Sequence, residues 1–274
     1  MVIRYRIAAM LVVSGAAFSC APQAPERPGL PAAENQRLVD LSHEYSADAI
    51  FWPTAETFRL DVVADGTTPQ GYYYASNNFS GSEHGGTHLD APVHFARGHW
   101  SVEQIPLDQL VGPAAVVDVS AACAAQADYQ VTVADLTAWE QAHGSLNGAI
   151  VLIRTDYSRR WPDAERYLGT AERGEAAVPK LHFPGIHPDA ARWLTEKSVK
   201  AVGIDTASID YGQSSLFETH RTLYERNIPG LENLTNLDQL PARGATIVAL
   251  PMKIKGGSGA PLRAVAILQG KGHS

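Results

Sequence analysis

The stretch Ser82–His99, SEHGGTHLDAPVHFARGH, decides how the rest of this chain is read. It carries His84, His88, His94 and His99, four of the chain's ten histidines. Of these, His84, His88 and His94, with Asp90 between them, follow an HxxxHxDxxxH spacing. This brings three imidazoles and a carboxylate within reach of one point. Such a donor set is borderline to hard and suits zinc, manganese or iron(II). A lone histidine is structural more often than it is a ligand, but this clustering around Asp90, punctuated by glycines, reads as a metal site.

The i, i+4 pair His84/His88 would suit a helix. Gly85 and Gly86 between them, β-branched Thr87 and nearby Pro92 argue instead for an extended segment. On a strand His84, Gly86, His88 and Asp90 share one face, with Gly86 leaving room for metal and substrate.

The run HGGTHLDAPVHF (residues 84–95) resembles the signature of the metal-dependent cyclase family, the kynurenine formamidase and isatin hydrolase-like enzymes. The resemblance extends over about residues 38 to 268. It implies an α/β fold whose mixed sheet curls into a barrel-like core with a few flanking helices.

Composition agrees with a small-molecule enzyme. The chain has 274 residues, 45% of them apolar and 19% charged, which is enough for one well-buried domain. The net charge of −7 and the lack of a Lys/Arg cluster make nucleic acid an unsuitable partner. At the amino end, MVIRYRIAAMLVVSGAAFSC sets Arg4 and Arg6 before a short apolar run and then small residues. This reads as a signal peptide over residues 1–20, too short in its apolar part to span a membrane. The protein is therefore expected to be exported, either free in the periplasm or membrane-anchored as a lipoprotein. Ala17-Phe18-Ser19-Cys20 resembles a lipobox, and Cys20 is the candidate lipid anchor. Residues 21–37 are proline-rich and read as a tether, leaving 38–274 as the catalytic domain. Cys123 then has no disulfide partner and reads as a small buried residue.

Along the domain, strands are expected at Leu38–Ser42, Phe58–Val63, Tyr72–Phe79, Ala114–Val119, Ile150–Arg154, Ala201–Asp205, Thr246–Pro251 and Ala264–Leu268. Helices are expected at Val131–His143, ended by Gly144, and at Pro188–Glu196. Ser158–Val178 reads as a surface excursion, and KIKGGSGAPLR (residues 253–263) as a flexible glycine-rich hairpin loop, for which the family resemblance implies a place near the site mouth.

One strand rarely completes a metal site. The resemblance implies that His220 and Glu232, the latter opening the run ENLTNL, supply further ligands. By the same resemblance His84 and His88 hold a first ion and His220 a second, with Asp90 and Glu232 bridging. His94 corresponds to the family's proton-transfer residue, and imidazole suits that task near neutral pH. Trp52, an aromatic residue before a proline, matches a substrate-pocket position, although a packing role fits it as well. A dimer is also implied.

The expected activity is hydrolysis of a C–N amide bond in a small, aromatic formamide or cyclic lactam, with two zinc or manganese ions. A lactone hydrolase is the alternative, and a non-catalytic metal- or ligand-binding module is a second. A binding module has no need of a base such as His94 beside a full ligand set.

Overall fold

The computed structural model of the protein describes residues 36–269. The expected signal peptide, the lipobox at Cys20 and nearly all of the tether lie outside the described residues. The first strand, β1 (Gln36–Asp40), starts two residues before the expected position and so takes in the last two residues assigned to the tether.

The other strands are β2 (Arg59–Thr67), β3 (Tyr73–Ser80), β4 (His88–Asp90), β5 (Val111–Asp118), β6 (Gln130–Val131) and β7 (Ile150–Arg154). They continue with β8 (Gly185–Ile186), β9 (Ala201–Ile204), β10 (Gly230–Glu232), β11 (Ala245–Pro251) and β12 (Gly259–Gln269). The helices are α1 (Leu107–Leu110), α2 (Ser120–Ala125), α3 (Val133–His143), α4 (Ala164–Leu168), α5 (Pro188–Thr195) and α6 (Glu218–Tyr224).

The main sheet runs β1-β12-β11-β5-β7-β9-β10-β4, and a further pairing of β4 with β12 closes it. The result is a closed seven-strand mixed barrel with β1 added outside. Closure depends on the length of β12. Residues 259–261 pair with β4, whereas residues 265–269 on the same edge pair with β1. The strand was expected to begin only at Ala264. Its first half, read as flexible loop, is instead a barrel strand, because residues 259–261 find a backbone partner in β4.

Side-chain alternation on the parallel strands divides the apolar residues between two cores. Ala114, Val116, Ile150 and Leu152 point into the barrel with Leu89, Leu231 and Ile247. Ala115, Val117, Val151 and Ile153 point outward under α3 and α5, against Leu136, Trp139, Ala191 and Leu194. Alanines recur among the interior residues, at Ala201, Ala245, Ala249, Ala260, Ala264 and Ala266. Gly203 shows why: a Cβ there would come within 2.7 Å of Leu152 and 2.8 Å of Leu234. A seven-strand barrel leaves no more room than that. Truncating a large interior residue such as Leu152 to alanine should cost about 2–5 kcal/mol.

Helix α3 follows the sequence closely. Thr132 caps it through a reciprocal box with Asp135, Gly144 ends it at φ 89°, and Trp139 is buried with Nε1 donating to the Val116 carbonyl at 2.7 Å. Cys123 is buried and unpaired, and burial pushes its thiol up to about 12. The 158–178 segment differs in part from expectation. Residues 171–176 are exposed as expected, but α4 packs Tyr167 and Leu168 into the outer core and Ala177 is buried. The β2–β3 hairpin is the reverse case. Both expected strands form and pair with each other, but Leu60, Val62, Tyr73 and Phe79 are exposed.

Candidate metal centre

Strand β4 carries the middle of the signature into the barrel wall, between β10 and β12. Its register sets Glu232 directly opposite His88, and Gly259 opposite Asp90. Two ligand-type residues far apart in sequence thus meet by backbone pairing alone.

The extended reading of residues 84–90 holds only for His88–Asp90. Gly86 lies at φ 56°, in the left-handed region, so the chain turns there and His84 reaches the site from a bend. The space at the glycines serves packing. A Cβ on Gly86 would meet the Tyr45 ring at 2.8 Å, and one on Gly85 the Phe51 ring at 2.0 Å. The room expected there for metal and substrate is filled by aromatic rings.

Two donor groups share Asp90. His84, His88 and Asp90 form one, and Asp90, His220 and Glu232 the other. Asp90 Oδ1 lies 2.6 Å from His84 Nδ1 and 3.1 Å from His88 Nε2, while Oδ2 lies 3.3 Å from His220 Nε2. Glu232 repeats the pattern, with Oε1 3.1 Å from His220 Nε2 and Oε2 3.4 Å from His88 Nε2. Each carboxylate therefore turns one oxygen to each side.

His220 is the third residue of α6. Asp210 Oδ2 accepts from its backbone N–H at 3.0 Å and from Nδ1 at 2.6 Å, which leaves Nε2 facing Asp90 and Glu232. Burial opposes ionisation of Asp210, but the hydrogen bonds and charge of His220 outweigh it and hold the carboxyl below its usual range. His88 is fixed in the same manner, Nδ1 donating to the Gly86 carbonyl at 3.0 Å. Asn233 holds that carbonyl at 2.8 Å. Tyr224 donates to Asp90 Oδ2 at 2.9 Å.

A cation fits these residues. His88 Nε2 is buried without a hydrogen bond of acceptable geometry, although two carboxylates lie near it. Burial alone would pull the His88 pKa down, yet the carboxylates of Asp90 and Glu232, 3.1 and 3.4 Å from Nε2, carry it to about 10. His220 is raised against its burial, first by the hydrogen bond to Asp210 and then by Asp90 and Glu232, and both carboxylates of the cluster are lowered. Three imidazoles and two desolvated carboxylates make a site that demands positive charge. Bound protons or bound metal supply it.

His94 belongs to neither group. It ends a one-turn 3-10 helix started by Pro92, and its ring lies flat on that of His84. Burial lowers its pKa to about 4, with the neighbouring charges partly cancelling. The ring is neutral at pH 7.

A cavity of about 300 Å³ opens onto all six of these residues. Trp52 stands on its wall and also packs edge-on against core Phe183, with 6.4 Å between centroids. Both readings of Trp52, pocket and packing, describe its position. Phe95 and Phe217 complete the apolar side, 5.2 Å apart, with Phe95 4.7 Å from the His220 ring. Phe217 is held at φ 48°, a backbone state seldom adopted by bulky residues.

Sequence reasoning missed Asp210, Tyr224, Phe95 and Phe217. Tyr224 stands four residues after His220 on one helix, so helical spacing could have pointed to it. Asp210 offered no local signal.

Comparison with known proteins places these features in context. A family model described as "Putative cyclase" matches residues 39–211. Isatin hydrolase of Roseibium aggregatum is 36% identical over 207 residues, covering 72% of this chain and 76% of that protein. Kynurenine formamidase of Salinibacter ruber is 32% identical over 238 residues, covering 83% and 96%. Among solved structures, isatin hydrolase A from Ralstonia solanacearum superposes with a TM-score of 0.77 at 38% identity, covering 85% and 92%.

Proposed function

The chain belongs to the cyclase family of metal-dependent hydrolases, and from that premise we propose that it cleaves the C–N bond of a small aromatic formamide or cyclic lactam. The observation that carries this reading is the cavity, with aromatic walls on one side and the two donor groups joined through Asp90 on the other. The relatives named isatin hydrolase and kynurenine formamidase act on substrates of this kind, which supports it.

His84 and His88 are proposed to hold one divalent ion and His220 a second, with Asp90 and Glu232 serving both, zinc or manganese in each case. Such ions supply a water of lowered pKa and polarise a carbonyl oxygen. Asp210 keeps Nε2 of His220 directed inward, and the Gly86 carbonyl does the same for His88. Trp52, Phe95 and Phe217 bind the aromatic ring and exclude water behind it. His94, neutral at pH 7, takes a proton from the attacking water and returns one to the departing nitrogen. The new C–O bond and the broken C–N bond then balance with no other co-reactant.

Two further parts of the reading stand on sequence. Export with attachment through Cys20 is proposed from residues 1–20, and a homodimer from the family resemblance. The exposed apolar side chains of the β2–β3 hairpin favour the dimer.

The test is a panel of N-formyl aromatic amines, aromatic lactams and lactones, assayed with zinc and with manganese. Turnover of the C–N substrates is expected. Turnover of lactones alone would favour the C–O alternative, and metal binding without turnover the binding-module reading.

A further inference from the structure

The glycine-rich loop between β11 and β12 does more than close a hairpin. Ser258 lies between a carboxylate and a histidine. Its hydroxyl is 2.8 Å from Glu83 Oε2 and 2.9 Å from His84 Nε2. Glu83 Oε2 also accepts from the backbone N–H of Ser258 at 3.0 Å and of Gly259 at 3.4 Å.

Proton accounting fixes the direction of this chain. A carboxylate oxygen only accepts, so the Ser258 proton goes to Glu83. The Ser258 oxygen is then left to accept, and His84 Nε2 must be the nitrogen that carries the hydrogen. The ring's other nitrogen, Nδ1, faces Asp90 Oδ1 at 2.6 Å. Nδ1 is therefore the nitrogen through which His84 would hold a cation.

The glycines allow the loop to come this close. A Cβ on Gly259 would lie 2.5 Å from His84 Cε1, and one on Gly257 2.9 Å from Glu83 Oε1. The loop backbone is tied down separately, by the Ala91 N–H to the Ser258 carbonyl at 2.8 Å and by Gly256 N–H to Glu103 Oε2 at 2.9 Å.

We propose that Ser258 and Glu83 are positioning residues for His84. They hold its ring with Nδ1 toward the cation site and so set the metal affinity of the His84–His88–Asp90 group. This rests on the two-cation reading above. A hydrogen-bonded partner on the distal nitrogen of a ligating histidine fixes its tautomer and raises its basicity, and losing one weakens metal binding by about 10–100-fold.

The experiment is zinc titration of the metal-stripped, full-length chain in competition with a chromophoric chelator, with no substrate present. Ser258→Ala and Glu83→Gln should each weaken one of two zinc-binding steps about 10–100-fold and leave the other unchanged. Glu103→Gln, which loosens the same loop without touching His84, should bind zinc as wild type does. Thermal unfolding of the metal-free proteins checks the fold, and Glu83→Gln reads the same hydroxyl without changing the loop sequence. Wild-type zinc affinity in both Ser258→Ala and Glu83→Gln would overturn the proposal, as would an equal loss in Glu103→Gln. Because the readout is metal binding alone, a chain that takes up two zinc ions normally but hydrolyses nothing would sink the hydrolase reading and leave this one standing.

Discussion

The imidazole rings of His84 and His94 stack, with 3.9 Å between centroids and 20° between planes. This contact holds His94 beside the donor groups without making it a member of either. His94→Ala should therefore keep near-normal metal content and lose about 10²–10⁴-fold in kcat, with a smaller loss for substrates bearing better leaving groups. Metal analysis alongside kinetics checks it. Loss of metal in proportion to activity would make His94 a ligand. Because burial keeps its pKa near 4, the acid limb of the kcat/KM profile should show no inflection near 6.5 that disappears in His94→Ala.

Asp90 turns Oδ1 to His84 and His88, and Oδ2 to His220. Asp90→Ala should consequently lower metal content at both groups, whereas His220→Ala should spare the first. Metal stoichiometry by elemental analysis distinguishes them, and equal content in Asp90→Ala and wild type would exclude bridging.

Arg173 donates to the carbonyls of Phe51 at 3.3 Å, Trp52 at 3.1 Å and also Ala55. It clamps the loop that carries the Trp52 wall of the cavity. Trp52→Ala and Arg173→Ala should both raise KM roughly tenfold with metal content unchanged, since each removes binding without touching the donors. A fall in kcat with KM unaltered would contradict the pocket role.

His43 stacks on Trp161 at 4.1 Å and 8°, and burial lowers its pKa to about 4. The unfolded chain binds this proton below about pH 6.5 and the folded chain only near 4. Stability should thus fall as pH drops through that window, by roughly 1.4 kcal/mol per pH unit. In His43→Phe, which keeps an aromatic ring against Trp161, the difference between urea unfolding at pH 7 and pH 5 should shrink by about that amount per unit. An unchanged difference would mean that His43 is protonated in the folded protein.

Cys20 follows a run of small residues and precedes the proline-rich tether. If it is lipidated, wild type should fractionate with membranes and Cys20→Ser should be soluble. Wild type found wholly in the soluble periplasmic fraction would refute the anchor.

The sequence by itself pointed to the class of fold, most of its strands, two of the six described helices, and the half of the candidate donor cluster that is local. The continuous apolar runs at Ala114–Val117 and Ile150–Ile153 are a property of neighbouring residues, and so is the HxxxHxDxxxH spacing; both survive translation into three dimensions. His220 and Glu232 were legible only through resemblance, because nothing near either residue marks it as a ligand. What the tertiary structure decided is everything that depends on which backbone lies beside which. The β4–β10 register sets Glu232 against His88. The β4–β12 pairing turns a presumed flexible loop into a barrel strand and brings Ser258 onto His84. Gly86, expected to leave space for metal, leaves it for Tyr45, since the chain turns at φ 56°. Asp210 reaches His220 Nδ1 because both side chains are buried at one helix start. Spacing along a chain fixes distance only within one element. Between elements, pairing and packing fix it, and those are set by the whole barrel at once.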